Sequence, residues 1–183
     1  MTEKISDHST GKIALDFYHR YKISGGVNPE GVKFYNNVIN DLLANAEKNG
    51  VYIGTPTATG WIYVCPKGIY SLMMYIKNYY KNPPIYITEN GVAETNNSSM
   101  SVEQALKDNL RLVYHYGHLT YLSKAIKGGA DVRGYFVWSF LDDYEWDGGY
   151  TVRFGLNYID FKDNLKRYRK HSALWFQKFL HKG

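Results

Sequence analysis

Apolar and polar positions change period several times along this chain. After a polar start over residues 1–11, a short helix is predicted over residues 12–21, and Ser24-Gly25-Gly26 reads as a loop. Asn28 is a capping residue, Pro29 suits a first helical position and Glu30 a first turn. Val32, Tyr35, Val38, Ile39, Leu42 and Leu43 then recur at helical spacing, so this helix is expected to run to about Asn49. Residues 50–66 carry Gly, Thr and Pro and read as loop with short extended pieces around Trp61 to Val64. Pro66 opens a helix with Ile69, Leu72, Met73, Ile76 and Tyr80 on one side, and Pro83-Pro84 ends it.

Ile85-Tyr86-Ile87-Thr88-Glu89-Asn90-Gly91 is a run of β-branched and aromatic residues bounded by turn formers, which is the pattern of a buried strand. Asn-Gly is expected to supply positive φ for a tight exit. Ser101 with Gln104 forms a capping-box signal for one helix reaching about Lys127, where Gly128-Gly129 stops it. Val132 to Ser139 is the second clear strand, and a final helix is expected from Ser172 to Leu180. A helix of about 27 residues spans roughly 40 Å, long enough to return along a sheet. Strand, helix, strand is a crossover unit, which makes its two strands parallel. If the strands are neighbours, Glu89 and Trp138 emerge at one edge of the sheet, where catalytic groups of α/β barrels gather.

Composition sets the frame. A chain of 183 residues, 44% apolar and 21% charged, suits one compact domain. The net charge of +5 is spread along the chain, and the basic run Lys166-Arg167-Tyr168-Arg169-Lys170 reads as a solvated face. No nucleic-acid or membrane partner is expected. Eighteen tyrosines fit either a Tyr-rich core and surface or a cleft lined with rings. Cys65 is alone, so no internal disulfide forms. Asn96-Asn97-Ser98-Ser99 holds two glycosylation sequons, relevant only in a secreted protein. The opening residues lack the apolar core of a signal peptide and no run approaches a membrane span, so a soluble cytoplasmic protein is the default expectation. No metal cluster, phosphate loop or cofactor motif is visible.

The Ile-Thr-Glu-Asn-Gly run at 87–91 resembles the signature of glycoside hydrolase family 1, the retaining β-glucosidases. The block Gly134-Tyr135-Phe136-Val137-Trp138-Ser139-Phe140-Leu141-Asp142-Asp143-Tyr144-Glu145-Trp146, continuing to Leu156, resembles that family's eighth strand and following loop. The resemblance implies that Glu89 is the nucleophile of O-β-D-glucoside hydrolysis. It implies that Trp138 stacks on glucose, that Glu145 accepts hydrogen bonds from two sugar hydroxyls, that Trp146 flanks them, and that Phe154 lies near the outer end of the sugar. It requires no cofactor and no metal. The family usually has Asn where this chain has Asp143. Read from the residues alone, Glu89 is also compatible with a solvated strand-end acid, Trp138 and Phe154 with core packing, and Glu145 with a surface ion pair.

The implied fold class is α/β, an incomplete (β/α)8 TIM barrel keeping roughly the second helix and the sixth to eighth strand/helix units. The chain then divides into N-terminal barrel helices at 1–46 and C-terminal units at 47–183, with the third to fifth units skipped around Asn45-Ala46. Retaining glycosidases need two carboxyl groups about 5–5.5 Å apart. The family's acid/base stands in an Asn-Glu-Pro motif that this sequence lacks; Asn28-Pro29-Glu30 has those letters scrambled, at a helix start. Arg169 replaces the Pro usual after Arg-Tyr. Four readings stay open: an active β-glucosidase, a pseudoenzyme that forms a hetero-oligomer with full-length β-glucosidase, a residual sugar-binding module, and a product without function. The aglycone of the β-D-glucoside is not legible, although the resemblance is closest to plant enzymes of specialised metabolism.

Overall fold

The computed structural model of the chain describes Glu47–Lys48 and residues 51–181. The chain divides into two compact units, Met1–Gly54 and Thr55–Gly183. The helices expected at 12–21 and from Asn28 fall outside the described residues, as do their apolar stripes. In the first unit, β1 (Glu47–Lys48) pairs antiparallel with β2 (Val51–Tyr52), Glu47 opposite Tyr52. The expectation of helix as far as Asn49 is therefore not met at Glu47–Lys48, which are strand. Asn49-Gly50 is the strongest two-residue hairpin signal, and it overrides the helical pattern.

In the second unit, β3 (Thr55–Pro56) and β4 (Tyr63–Val64) form a small antiparallel hairpin. Helix α1 (Pro66–Tyr79) starts on its proline and buries Ile69, Met73 and Ile76. It ends as Tyr80 donates to the Ile76 carbonyl at 2.9 Å and Lys81 and Asn82 take positive φ. Strand β5 (Ile85–Asn90) follows. Its parallel neighbour is β7 (Val132–Val137), with Tyr86 opposite Gly134 and Ile87 opposite Tyr135. The expected parallel pairing is present. Between them, β6 (Glu94–Thr95) pairs with the later β8 (Val152–Arg153). Among the described residues β5 has no other sheet neighbour than β7, and no closed barrel is formed.

The single long helix expected from Ser101 to Lys127 is two helices, α2 (Val102–Ala105) and α3 (Asn109–Lys127). The capping box is real: Ser101 Oγ accepts from Gln104 N and Gln104 Oε1 from Ser101 N. Helix α2 ends at Leu106, and the residues just after it bond to a distant segment. The Leu106 carbonyl accepts from His171 N at 2.8 Å, and the Asp108 carboxylate accepts from Ser172 N at 2.9 Å and from Ser172 Oγ. Those residues begin α4 (His171–Leu180), so the break in the helix is where α4 is held.

Helix α3 buries Arg111, Tyr114, His115, His118, Leu122 and Ala125, a stripe at helical spacing that is half polar. Arg111 is its keystone. One guanidinium nitrogen bonds Glu94 at 2.7 Å and Asp108 at 2.8 Å; the other bonds the carbonyls of Val92 and Arg153. One side chain thus joins the chain leaving β5, strand β8 and, through Asp108, the start of α4. The hairpin β9 (Asn157–Asp160) and β10 (Lys166–Arg169) precedes α4. The basic run is not one solvated face. Lys166, Arg167 and Arg169 are exposed, but Lys170 is buried against Asp142 at 2.8 Å.

Candidate active site

The carboxyl ends of β5 and β7 are locked together by backbone. Trp138 N donates to the Asn90 carbonyl at 2.9 Å. A Cβ on Gly91 would stand 1.9 Å from the Trp138 carbonyl oxygen. Gly91 does not have positive φ, contrary to the expectation for its Asn-Gly pair. Its role is steric: only a residue without a side chain lets the two strand exits come this close.

Glu89 lies at that exit, exposed, where the β5–β7 register shifts between Ile87 and Asn90. Its neighbour Asn90 is tied inward. Tyr135 donates its hydroxyl proton to Asn90 Oδ1 at 2.9 Å, and His115 Nδ1 lies 2.8 Å from the same hydroxyl. Because Asn90 Oδ1 can only accept, the tyrosine is the donor there and His115 Nδ1–H donates to it. Burial first, then Arg111 and His118, pushes the His115 imidazole down to about 3, so it is neutral. Burial holds the Tyr114 hydroxyl up at about 12 and raises that of Tyr135. The strand carrying Glu89 rests on an uncharged chain from helix α3.

Trp138 is half-buried, and its indole Nε1 donates to Glu145 Oε1 at 3.1 Å. Glu145 is placed by a backbone bridge, donating to the Gly149 carbonyl at 2.9 Å and accepting from Gly149 N at 2.7 Å, where Gly149 takes φ 52°. The Glu145 carboxyl is held above its ordinary range by desolvation first and by a hydrogen bond to Asp143; Trp138 opposes this, and the charges of Asp143 and Glu89 add to it. Glu145 thus feels both of the other two acids. Trp146 is 88% exposed on the loop. Phe154 is 4% exposed and packs with Ala93 and Val152, with Trp138 and Ile62 against that cluster. It backs the indole instead of presenting a face of its own.

Asp142 fixes the loop from below, a role the sequence did not signal. Its carboxylate accepts from Gly155 N at 2.9 Å, Arg153 Nη1 at 2.6 Å and Lys170 Nζ at 2.8 Å. His115 carries no motif signal for the site, and Tyr135 and Asp143 stand in the motif block without a role of their own. The first two bear on it only through Asn90, and the third looks conservative beside Asn. Among the described residues no three His, Cys, Asp or Glu side chains converge as a metal would require.

The exits of β5 and β7 thus bring an exposed acid to the same sheet edge as an indole bonded to a second acid. The family model of Glycosyl hydrolase family 1 matches residues 44–183, and the chain belongs to that family. It is 46% identical over 171 residues to Beta-glucosidase 24 of Oryza sativa subsp. japonica, covering 92% of this chain and 34% of that protein. It is 48% identical over 157 residues to Beta-glucosidase 17 of Arabidopsis thaliana, covering 82% and 30%. The solved structure of a rice Os3BGlu6 β-glucosidase superposes with a TM-score of 0.70 at 52% identity, over 72% of this chain and 28% of that one. The chain spans only 34% and 26% of the length of two rice relatives it matches, so its fold is part of a larger domain.

Proposed function

We propose that this chain carries the nucleophile side of a retaining β-glucosidase site and recognises the glucosyl part of β-D-glucosides. The observation that carries the reading is the mutual placement of Glu89, Trp138 and Glu145. The strand exits bearing the first two are locked backbone to backbone, and the indole is bonded to the third. In this reading Glu89 attacks the anomeric carbon, Trp138 offers its face to the C–H side of the ring, and Glu145 accepts hydrogen bonds from two sugar hydroxyls. Trp146 flanks the sugar, and Phe154 acts through Trp138. In this reading strands β5 and β7 correspond to the seventh and eighth strands of the parent barrel, and the sequence of residues 47–64 to its sixth unit.

Attack by Glu89 forms a glycosyl ester and breaks the bond to the leaving oxygen, which must gain a proton. The sequence holds no Asn-Glu-Pro acid/base, and Glu145 is engaged by Trp138 and Asp143. Loss of general-acid help costs about 10²–10⁴ in rate, and loss of positioning groups adds to it. The chain alone is therefore expected to be inactive. The test is release of p-nitrophenol from p-nitrophenyl β-D-glucoside by purified chain. Turnover that disappears with Glu89→Gln overturns inactivity; its absence supports it.

A second reading is a pseudoenzyme that docks on full-length β-glucosidase subunits. It is favoured by Tyr86 and Phe136, 57% and 58% exposed on the sheet face away from α3, a face a complete barrel would enclose. Co-expression with a full-length relative, followed by size-exclusion chromatography and activity assay, checks it. Unchanged size and activity count against it.

A further inference from the structure

Asn96-Asn97-Ser98-Ser99 carries two overlapping sequons, Asn96-Asn97-Ser98 and Asn97-Ser98-Ser99. The fold treats the two asparagines oppositely. Asn96 is clamped by both ends of its amide: Nδ2 donates to the Tyr150 carbonyl at 2.8 Å, and Oδ1 accepts from Arg153 Nε at 2.8 Å. Its backbone N–H also donates to the Thr151 carbonyl at 2.8 Å, continuing the pairing of β6 with β8. Arg153 is buried, and its other bonds go to Asp142 and the Ile159 carbonyl. A saccharide on Asn96 Nδ2 has to displace Tyr150 and leave the buried Arg153 Nε–H without its acceptor, an uncompensated desolvation. Asn97 is the reverse case. It is exposed, at the head of a turn closed by Met100 N donating to the Asn97 carbonyl at 3.2 Å. Its side chain accepts from Ser99 N at 2.9 Å, a bond that occupies the amide oxygen and not the nitrogen.

We propose that Asn97 is the N-glycosylation acceptor of this chain wherever it reaches a secretory lumen, and that a glycan on Asn96 is incompatible with the fold. The donor is a lipid-pyrophosphate-linked oligosaccharide. A bond forms between Asn97 Nδ2 and the anomeric carbon of the first sugar, and the bond from that carbon to the pyrophosphate oxygen breaks. The lipid pyrophosphate leaves with the electron pair, and Nδ2 gives up one proton. Transfer acts on the chain before it folds, so both asparagines are offered to the transferase and folding sorts the products. The side-chain partners of Asn96 stand 54 and 57 positions later in the chain. A chain modified at Asn97 closes that clamp; a chain modified at Asn96 does not. The folded surface also has a seat for the first sugar. Asn97 lines an open cavity of about 590 Å³ with Met100, Tyr150, Phe161 and Leu165. Met100, Tyr150 and Leu165 are 42%, 53% and 59% exposed, and a glycan on Asn97 covers this apolar surface with a hydrophilic one.

The test uses the full chain carried into the secretory pathway of yeast by a cleavable leader. The folded fraction is isolated by size-exclusion chromatography. The modified position is read by mass spectrometry after peptide-N-glycosidase, which leaves Asp where the glycan stood. Ser98→Ala removes only the Asn96 sequon and Ser99→Ala only the Asn97 sequon, and both serines are exposed. The expected result is a glycan on Asn97 in wild type and in Ser98→Ala, and none in the folded fraction of Ser99→Ala. A glycan on Asn96 in the folded fraction of any of the three overturns the proposal. So does a folded wild type without glycan while a resident lumenal glycoprotein of the same cells is modified. Urea midpoints of the unglycosylated chain made in bacteria decide the clamp even if little chain is secreted. Asn96→Gln is expected to lower the midpoint and Asn97→Gln to leave it at the wild-type value. Equal midpoints in the two variants overturn the clamp on Asn96.

Discussion

Gly91 and Trp138 touch through backbone: a Cβ on Gly91 would lie 1.9 Å from the Trp138 carbonyl oxygen and 2.8 Å from its carbonyl carbon. Neither atom can swing aside as a side chain would. The contact fixes how far apart the exits of β5 and β7 stand, and therefore where Glu89 lies relative to the indole.

Gly91→Ala is accordingly expected to be among the costlier single-methyl additions in this chain. Overpacking typically costs about 1–3 kcal/mol, and a backbone neighbour places this site at the upper end. The urea midpoint should drop and the Trp138 indole resonance should move. A variant with wild-type stability and an unmoved resonance would show that the two exits do not meet at Gly91.

Arg111 is fully buried and answers two carboxylates and two carbonyls. Arg111→Met fills similar volume but leaves Asp108 buried without its cation. Breaking one side of a buried ion pair costs about 3–5 kcal/mol. Chemical denaturation should show a loss of that order, with α4 the first element to lose amide protection, because Asp108 also holds Ser172. A loss under about 1 kcal/mol, the usual scale of an exposed pair, would contradict the keystone role of Arg111.

The sequence is legible wherever burial and apolarity coincide. Strands β5 and β7, and α1 with its proline start, follow from local chemistry. Helix α3 is harder, because its buried stripe includes Arg111, His115 and His118, which no apolar period reveals. The break before it depends on Ser172, which lies 64 positions after Asp108. Lys170 looks like part of a solvated run, yet Asp142 draws it inside. At the site, Glu89, Trp138 and Glu145 are carried by a motif. Gly91 matters for close approach, where its Asn-Gly pair suggests a turn. Asp143 stands out in the sequence only as a departure from the Asn usual in the family.

His115 makes stability depend on acid pH. Its unfolded imidazole titrates near its ordinary value of 6.5, and burial holds the folded one down at about 3. Between these values the unfolded chain binds a proton that the folded chain refuses. The contribution is therefore fully present above about 6.5 and drains away as pH falls toward 3, at up to roughly 1.4 kcal/mol per pH unit. His118, lowered mainly by burial, acts in the same direction. Urea midpoints measured across that window should decline in wild type and decline less steeply in His115→Phe. Equal slopes would remove His115 from the explanation.

Asp142 and Lys170 are bonded to each other but should respond very differently to substitution. Asp142 answers two buried cations and two backbone N–H groups. Asp142→Asn leaves Arg153 and Lys170 facing a neutral amide, so a loss of about 3–5 kcal/mol is expected. Lys170 is the opposite case. Burial, with help from Arg111, pushes its ammonium down to about 8 against the attraction of Asp142 and Asp108. The partners do not fully offset the desolvation. Lys170→Met, which keeps the stem and leaves Asp142 with Arg153, is expected to fall within about 1 kcal/mol of wild type or to gain. The pH response has a definite sign. From about 8 toward 10.5 the unfolded chain still holds the lysine proton while the folded chain has released it, so wild-type stability rises with pH in that window. The rise is clearest below about 10, before Tyr114, raised in the folded state to about 12, begins to ionise in the unfolded chain and pulls the other way. Urea midpoints at about pH 7.5 and 9.5 should therefore separate the two proteins, wild type rising and Lys170→Met staying flat. A Met variant that rises in parallel, or one that loses as much as Asp142→Asn, would mean that Lys170 is a net stabilising partner of Asp142 and not the costlier half of the pair.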